Sequence, residues 1–237
     1  MRILRNFKEI IRDPISIVFA IILPLFLLFI FQQFNIPNEA YKLENFTPGV
    51  LIFSFSFITL FASTLIAKDR KTSLLIRLGI SPMKPIEYIL GYMISFIPII
   101  LLQGVGTFVM ALILGLPFSI NILWTILVSI IIAILFLAIG ILIGSLVSDK
   151  AASGVSSIVV QLVCFTSGMY FPKELLGSTY SKICEILPFD SALIIIKGIL
   201  NNNIKSITIQ NILIFSVYTI VFVILSAVIF KNKMISD

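Results

Sequence analysis

The sequence contains no histidine, only two cysteines and few charges: 12% of its 237 residues are Asp, Glu, Lys or Arg. Each shortage excludes something. Without histidine, the commonest general base and metal ligand is missing. Cys164 and Cys184 form no CxxC pair and are too few for a disulfide framework, so both read as structural. No G-x-x-x-x-G-K-[ST] run occurs, so the chain does not bind ATP through a P-loop. No metal-ligand cluster and no nucleophile–histidine pair stands out, and the chain does not read as an enzyme.

What is present in quantity is apolar side chain: 59% of residues belong to AVILMFWYC, and the mean hydropathy is +1.15. Soluble domains carry about 25% charged residues. The composition instead predicts an all-α polytopic membrane protein, a single transmembrane domain over residues 1–237. A bilayer-spanning helix needs roughly 20 mostly apolar residues. Six runs qualify, at about 15–34, 48–67, 86–115, 122–147, 151–172 and 208–230. The third is expected to be broken up by Pro98, Gly104 and Gly106. The runs are continuous and lack the alternation of a membrane barrel. Residues 1–14 place Ile3, Leu4, Phe7, Ile10 and Ile11 on one helical face and Arg5, Lys8 and Arg12 on the other. That is the pattern of an interfacial helix. No small-residue cleavage site follows the first apolar run, so it reads as an uncleaved span.

With six spans both termini share a side. If that side is the cytoplasm, twelve of the 17 Lys and Arg residues lie inside and five outside, which fits the positive-inside rule. The whole net charge of +6 then sits on the inner face. It reads as membrane orientation rather than as nucleic-acid affinity.

Two polar segments carry more pattern than a plain loop. Residues 68–85, KDRKTSLLIRLGISPMKP, predict a short amphipathic helix on the cytoplasmic face. Thr72 or Ser73 caps it, Leu74, Leu75, Ile76 and Leu78 form its apolar side, and Gly79 and Ser81-Pro82 end it. It suits either anchoring on anionic lipid through Lys68, Arg70, Lys71 and Arg77 or docking into a cytoplasmic partner. Residues 173–207 predict two short helices joined near Pro188 and dipping into the outer leaflet as a re-entrant segment.

No ionisable side chain lies near the middle of a span, which argues against an ion-coupled carrier or a voltage sensor. Uphill transport would then draw its energy from a partner. Polar residues inside spans include Gln103, Thr107, Gln161, Ser54, Ser56, Ser153, Ser156 and Ser157. Such groups serve as interhelical hydrogen bonds or as substrate contacts. The stripes Gly140-Gly144-Ser148 and Ser153-Ser157 suggest close helix packing, within the subunit or at a dimer seam. Phe53, Phe57 and Phe61 share one face of the second span, suited to core packing, lipid contact or an amphiphile's path.

Together these segments resemble the membrane subunit of an ATP-binding-cassette (ABC) exporter, the type-2 permease family. RDPISIVFAIILPLFLLFIF is similar to the family's passage from interfacial helix to first span. DRKTSLLIRLGISPMKPIEYILG is similar to its coupling-helix loop, with Arg77-Leu78, Ser81-Pro82 and Gly91 matching. SGMYFPKELLGSTYSKICEILPFDSALIIIKGIL is similar to its outer re-entrant signature, where Ser167, Gly168, Phe171, Pro172, Pro188 and Ser191 match. Two positions depart from the pattern. Lys71 replaces the glycine before the coupling helix, and Lys197 replaces the closing arginine and lacks its planar fork.

The resemblance implies a permease that pairs with a second permease subunit, identical or not, in the cell membrane. Two cytoplasmic ATPase subunits would carry ATP and magnesium, and this chain would bind no cofactor. The segment from Thr72 to Ser81 would sit in a cleft on the ATPase. The substrate path would run along the first, second and fifth spans, with Phe53, Phe57 and Gln161 as candidate wall residues. The favoured cargo is a hydrophobic or amphiphilic small molecule, such as a drug or peptide antibiotic. The Asp69-Arg70 pair before the coupling helix resembles the drug-exporting branch. Export of a polysaccharide or lipid-linked glycan is the alternative, as is a non-transporting membrane immunity or assembly protein.

Overall fold

The apolar runs fold as helices, and no strand occurs among the described residues. The computed structural model describes residues 18–34, 36–71, 85–167 and 177–236; the side chains of 85, 86, 88 and 233–236 are outside it. The expected interfacial helix therefore lies outside the described residues, as do the coupling-loop positions Thr72, Leu74, Leu75, Arg77, Leu78, Ser81 and Pro82. The same holds for Gly168, Phe171 and Pro172.

A π turn, Val18–Ile22, leads into α1, Leu23–Gln33. Then come α2, Leu43–Lys71, α3, Pro85–Ile113, and α4, Ile120–Leu146. They are followed by α5, Asp149–Thr166, and two short helices, α6, Ser178–Ile186, and α7, Pro188–Leu200. The last is α8, Ile209–Ser236. Among the described residues, four helices are long and apolar enough to cross a bilayer: Leu43–Lys71, Ile89–Ile113, Ile120–Leu146 and Ile209–Asn232. The expectation of six spans is thus met only in part. The described portion of the first run, Val18–Gln33, is a shorter apolar helix. α5 has 18 residues, about 27 Å at 1.5 Å per residue, and its serines and its first-turn Asp149 and Lys150 dilute its hydropathy.

Other boundaries also move. α2 begins five residues before the expected 48 and continues four past 67, because Lys68, Asp69, Arg70 and Lys71 all remain helical. α3 runs unbroken through Pro98, Gly104 and Gly106, contrary to the expected interruption. Neighbouring helices explain why: in a packed membrane bundle, proline and glycine are accommodated by surrounding groups. Gly104, for example, faces Ile126 and Ser129 of α4, where an added Cβ would be 3.7 Å from each. α3 ends instead at Ile113, and the turn that follows passes through Gly115, whose φ of +108° a β-carbon would strain. In 173–207 the chain forms two helices that meet at Leu187-Pro188, with Pro188 in the first turn of α7. At 9 and 13 residues, neither is long enough to span.

α2 is the axis of the bundle. It packs against α4 and α5 most extensively, and also against α1, α3 and α7. Lipid is as apolar as leucine, so helices associate through close van der Waals contact and polar bonds rather than hydrophobic exclusion. The α2–α4 seam shows both. A Cβ on Gly140 would lie 2.7 Å from the Thr59 carbonyl oxygen, and one on Gly144 would lie 2.5 Å from that of Ser63. Thr59 Oγ1 donates to the Phe136 carbonyl at 2.8 Å. The glycine stripe of α4 is therefore an internal seam. α5 closes on α2 through a hydrogen bond of 2.5 Å between Ser63 and Ser156. Ser153 and Ser157, expected to pack within the subunit or at a dimer seam, are exposed in the single chain; Ser156 makes the packing contact within the subunit.

Candidate functional site: a cavity and a polar junction on α2

Proline shapes the cavity's first wall. Pro24 has no N–H to offer the carbonyl of Ala20, four residues back. That carbonyl lies in the π turn and accepts from Gln103 Nε2 of α3 at 3.1 Å. The same nitrogen donates to the Ser54 carbonyl of α2 at 2.9 Å. Pro48, in the second turn of α2, likewise leaves the Glu44 carbonyl without its helical donor. The amide of Asn201 lies near it, at a long 3.5 Å.

Beside this region α1, α2 and α5 enclose a cavity of about 460 Å³. Phe19 and Leu23 line it from the π turn and α1, and Phe53, Phe57, Leu60 and Phe61 from α2. Ser157, Val160, Gln161 and Cys164 line it from α5. The structure thus brings Phe53, Phe57 and Gln161 together at one cavity. Phe53 and Phe57 meet edge to face, with ring centroids 5.1 Å apart. Both are buried, whereas Ser157 and Gln161 are exposed, so the cavity opens along the outer face of α5. None of the lining residues is ionisable in the carboxylate or ammonium sense; the polar groups are one hydroxyl, one carboxamide and one thiol. Such a site holds apolar or aromatic groups through dispersion and ring contacts, with a few hydrogen bonds to orient them.

A second cluster sits where α2 ends and residues 72–84 begin. Asp69 is buried and accepts from the Tyr92 hydroxyl of α3 at 2.5 Å. Arg70 reaches across to the last turn of α4. Its Nη1 donates to the carbonyls of Ser145 at 2.6 Å, Gly144 at 3.2 Å and, more weakly, Val147 at 3.4 Å. A cation here satisfies terminal carbonyls and opposes the negative end of the helix dipole. Lys71 Nζ approaches Asp149 Oδ2 of α5 at 3.3 Å. Tyr92 in turn packs edge to face on Phe230 of α8. Three consecutive residues therefore join the end of α2 to α3, α4 and α5.

The described signature residues of the segment read as re-entrant lie at the end of α5 and on α7. Ser167 caps the C-terminus of α5, is fully buried and leaves its hydroxyl unpartnered. Pro188, Ser191 and Lys197 lie on α7, with Ser191 buried and Lys197 half-buried. Phe189 stacks on Phe136 of α4 at 5.7 Å, and the Tyr180 hydroxyl of α6 donates to the Phe165 carbonyl of α5 at 2.8 Å.

Two wall residues, Phe19 and Leu23, had no assigned role in the sequence, although they carry an i, i+4 signal; Cys164, read only as structural, shares one face of α5 with Ser157 and Gln161. Tyr92 had no such signal, being 23 positions from its partner Asp69. No group of His, Cys, Asp and Glu able to hold a metal occurs among the described residues.

Comparison with known proteins adds one match. The family model described as ABC-2 type transporter covers residues 3–201. No curated protein and no solved structure matches the chain.

Proposed function

The chain belongs to the ABC-2 type transporter family and supplies the membrane-spanning permease part of an ABC transporter; from this premise we propose that it exports a hydrophobic or amphiphilic small molecule. The observation that carries the reading is the cavity between α1, α2 and α5, walled by phenylalanines and free of carboxylates and ammonium groups. Its 460 Å³ suits a drug-sized cargo. ATP is hydrolysed on a separate cytoplasmic subunit, onto which the segment from Thr72 to Ser81 docks. The Asp69–Arg70–Lys71 junction supports a route for the coupling. A push on that segment reaches α2 first and, through Tyr92 and the end of α4, the rest of the bundle. A second permease subunit covers the exposed face of α5, where Ser153, Gly154 and Ser157 allow close approach and where the cavity is open. Both termini are cytoplasmic.

The test is ATP-driven accumulation of neutral lipophilic fluorescent dyes in inside-out vesicles holding the chain and its ATPase. Phe57→Ala is expected to lower accumulation about tenfold, the scale of losing one aromatic ring contact, with ATPase association retained. Dye movement that ignores ATP and follows an ion gradient would overturn the reading. Orientation is checked by single cysteines. One at Lys42 labels from outside and one at Lys71 from inside; the reverse would invert the topology.

A further inference from the structure

We propose that Gln103, which does not line the cavity, is the positioning residue that sets the cavity's width. Its carboxamide nitrogen has two hydrogens. One goes to the carbonyl of Ala20 and the other to that of Ser54. Those residues are the immediate neighbours of Phe19 and Phe53, which line the cavity from two different helices. One side chain on α3 therefore grips both walls from behind. Gln103 is 2% exposed, and its Oε1 has no partner among the described residues, so among them the clamp is the carboxamide's polar contact.

The reason for the clamp lies in α1. Pro24 has no N–H of its own to give the turn before it, and the backbone there winds as a π turn, a local widening often found where helices serve function. A carbonyl left bare inside an apolar bundle is costly. The Gln103 amide relieves that cost only while α1 lies close to α2. When α1 swings away, the carbonyl loses this side-chain donor. The bond thus favours the narrow cavity and sets a threshold for widening it.

This inference rests on reading the cavity as the substrate's path, yet its test reads cavity geometry without any transport step, so the two can fail separately. Cys164 supplies a native reporter on the α5 wall. In the full chain carrying Cys184→Ala, Cys164 is the sole thiol, and its rate of alkylation by N-ethylmaleimide is measured in membrane vesicles. Gln103→Met, similar in shape but without donors, is expected to raise the rate about tenfold, the scale of losing two interhelical hydrogen bonds. Thr59→Val, which removes a buried bond on the opposite side of α2, is expected to leave it unchanged. Pro24→Ala adds an N–H that, in α-helical register, reaches the Ala20 carbonyl. In that background Gln103→Met is expected to raise the rate only about threefold, because one bond rather than two is lost. Should Gln103→Met fail to accumulate, Gln103→Asn, whose shorter amide reaches one carbonyl, carries the same comparison. The proposal is overturned if the Gln103 variants label at the parental rate. It is equally overturned if Thr59→Val has the same effect, or if Pro24→Ala does not diminish the increase.

Discussion

α2 and α8 are both long apolar helices, yet the protein uses them in opposite ways. In its apolar stretch α2 is 89% buried, whereas α8 is 11% buried. The buried helix is the less apolar of the two, with mean hydropathy 2.2 against 2.8. In water this order would be reversed. In lipid, an apolar face gains nothing by being covered, and the helix at the centre is the one with bonds to make. α2 brings Thr59 and Ser63 to its neighbours and receives the glycines of α4. It ends in the triad that joins α3, α4 and α5. α8 presents Val217, Ile220, Ile224 and Val228 outward and meets the bundle mainly along α4 and α7.

This contrast can be broken by substitution. The largest effect is expected at the glycine seam. Gly144→Val forces a Cβ against the Ser63 carbonyl and should cost about 3 kcal/mol or abolish folding. Thermal stability followed by size-exclusion chromatography in detergent would read it. Arg70→Met removes the donor to the last carbonyls of α4, at a cost of about 2 kcal/mol. Arg70→Lys should recover part of this, since it keeps the charge but not the guanidinium's reach. If the junction transmits motion, the ATPase should remain bound to Arg70→Met while hydrolysis no longer drives transport. Leu74→Asp or Leu78→Asp, by contrast, should abolish copurification with the ATPase. Thr59→Val removes one interhelical bond and should cost only about 0.6 kcal/mol. At the small end, Leu225→Ala on the exposed face of α8 should change stability by less than about 0.5 kcal/mol, because that side chain meets lipid in any case. A loss at Leu225 as large as that at Gly144 would show that α8 is a packed helix in the assembled protein.

Much of this was legible in the sequence for a physical reason. Long apolar runs have one stable backbone solution in lipid, so helices follow from hydropathy alone. The i, i+4 spacing of Phe53 and Phe57 put them on one face of α2, and the structure sets that face against the cavity. Hydropathy does not record which neighbour a helix meets. That is why Pro98 and Gly104 read as breaks, although α3 carries both within one helix. For the same reason the Ser153-Ser157 stripe does not tell which neighbour it meets: within the subunit Ser156 makes the contact, and Ser153 and Ser157 stay exposed. The bond from Tyr92 to Asp69 and the reach of Arg70 to residues 74 or more positions away depend wholly on assembly. Gln103 was visible as a polar residue in a span, but its two acceptors become apparent only with α1 and α2 in place.

The account's central claim is that nucleotide events at the coupling segment reach the cavity through α2. The direct measurement is the alkylation rate of Cys164, as sole thiol, in vesicles holding the chain and its ATPase, with and without ATP and magnesium. The account predicts a change in rate of at least about threefold, the signature of a shifted equilibrium between narrow and wide cavities, abolished by Arg70→Met without loss of the ATPase. An identical rate in both conditions, with hydrolysis running, would contradict it.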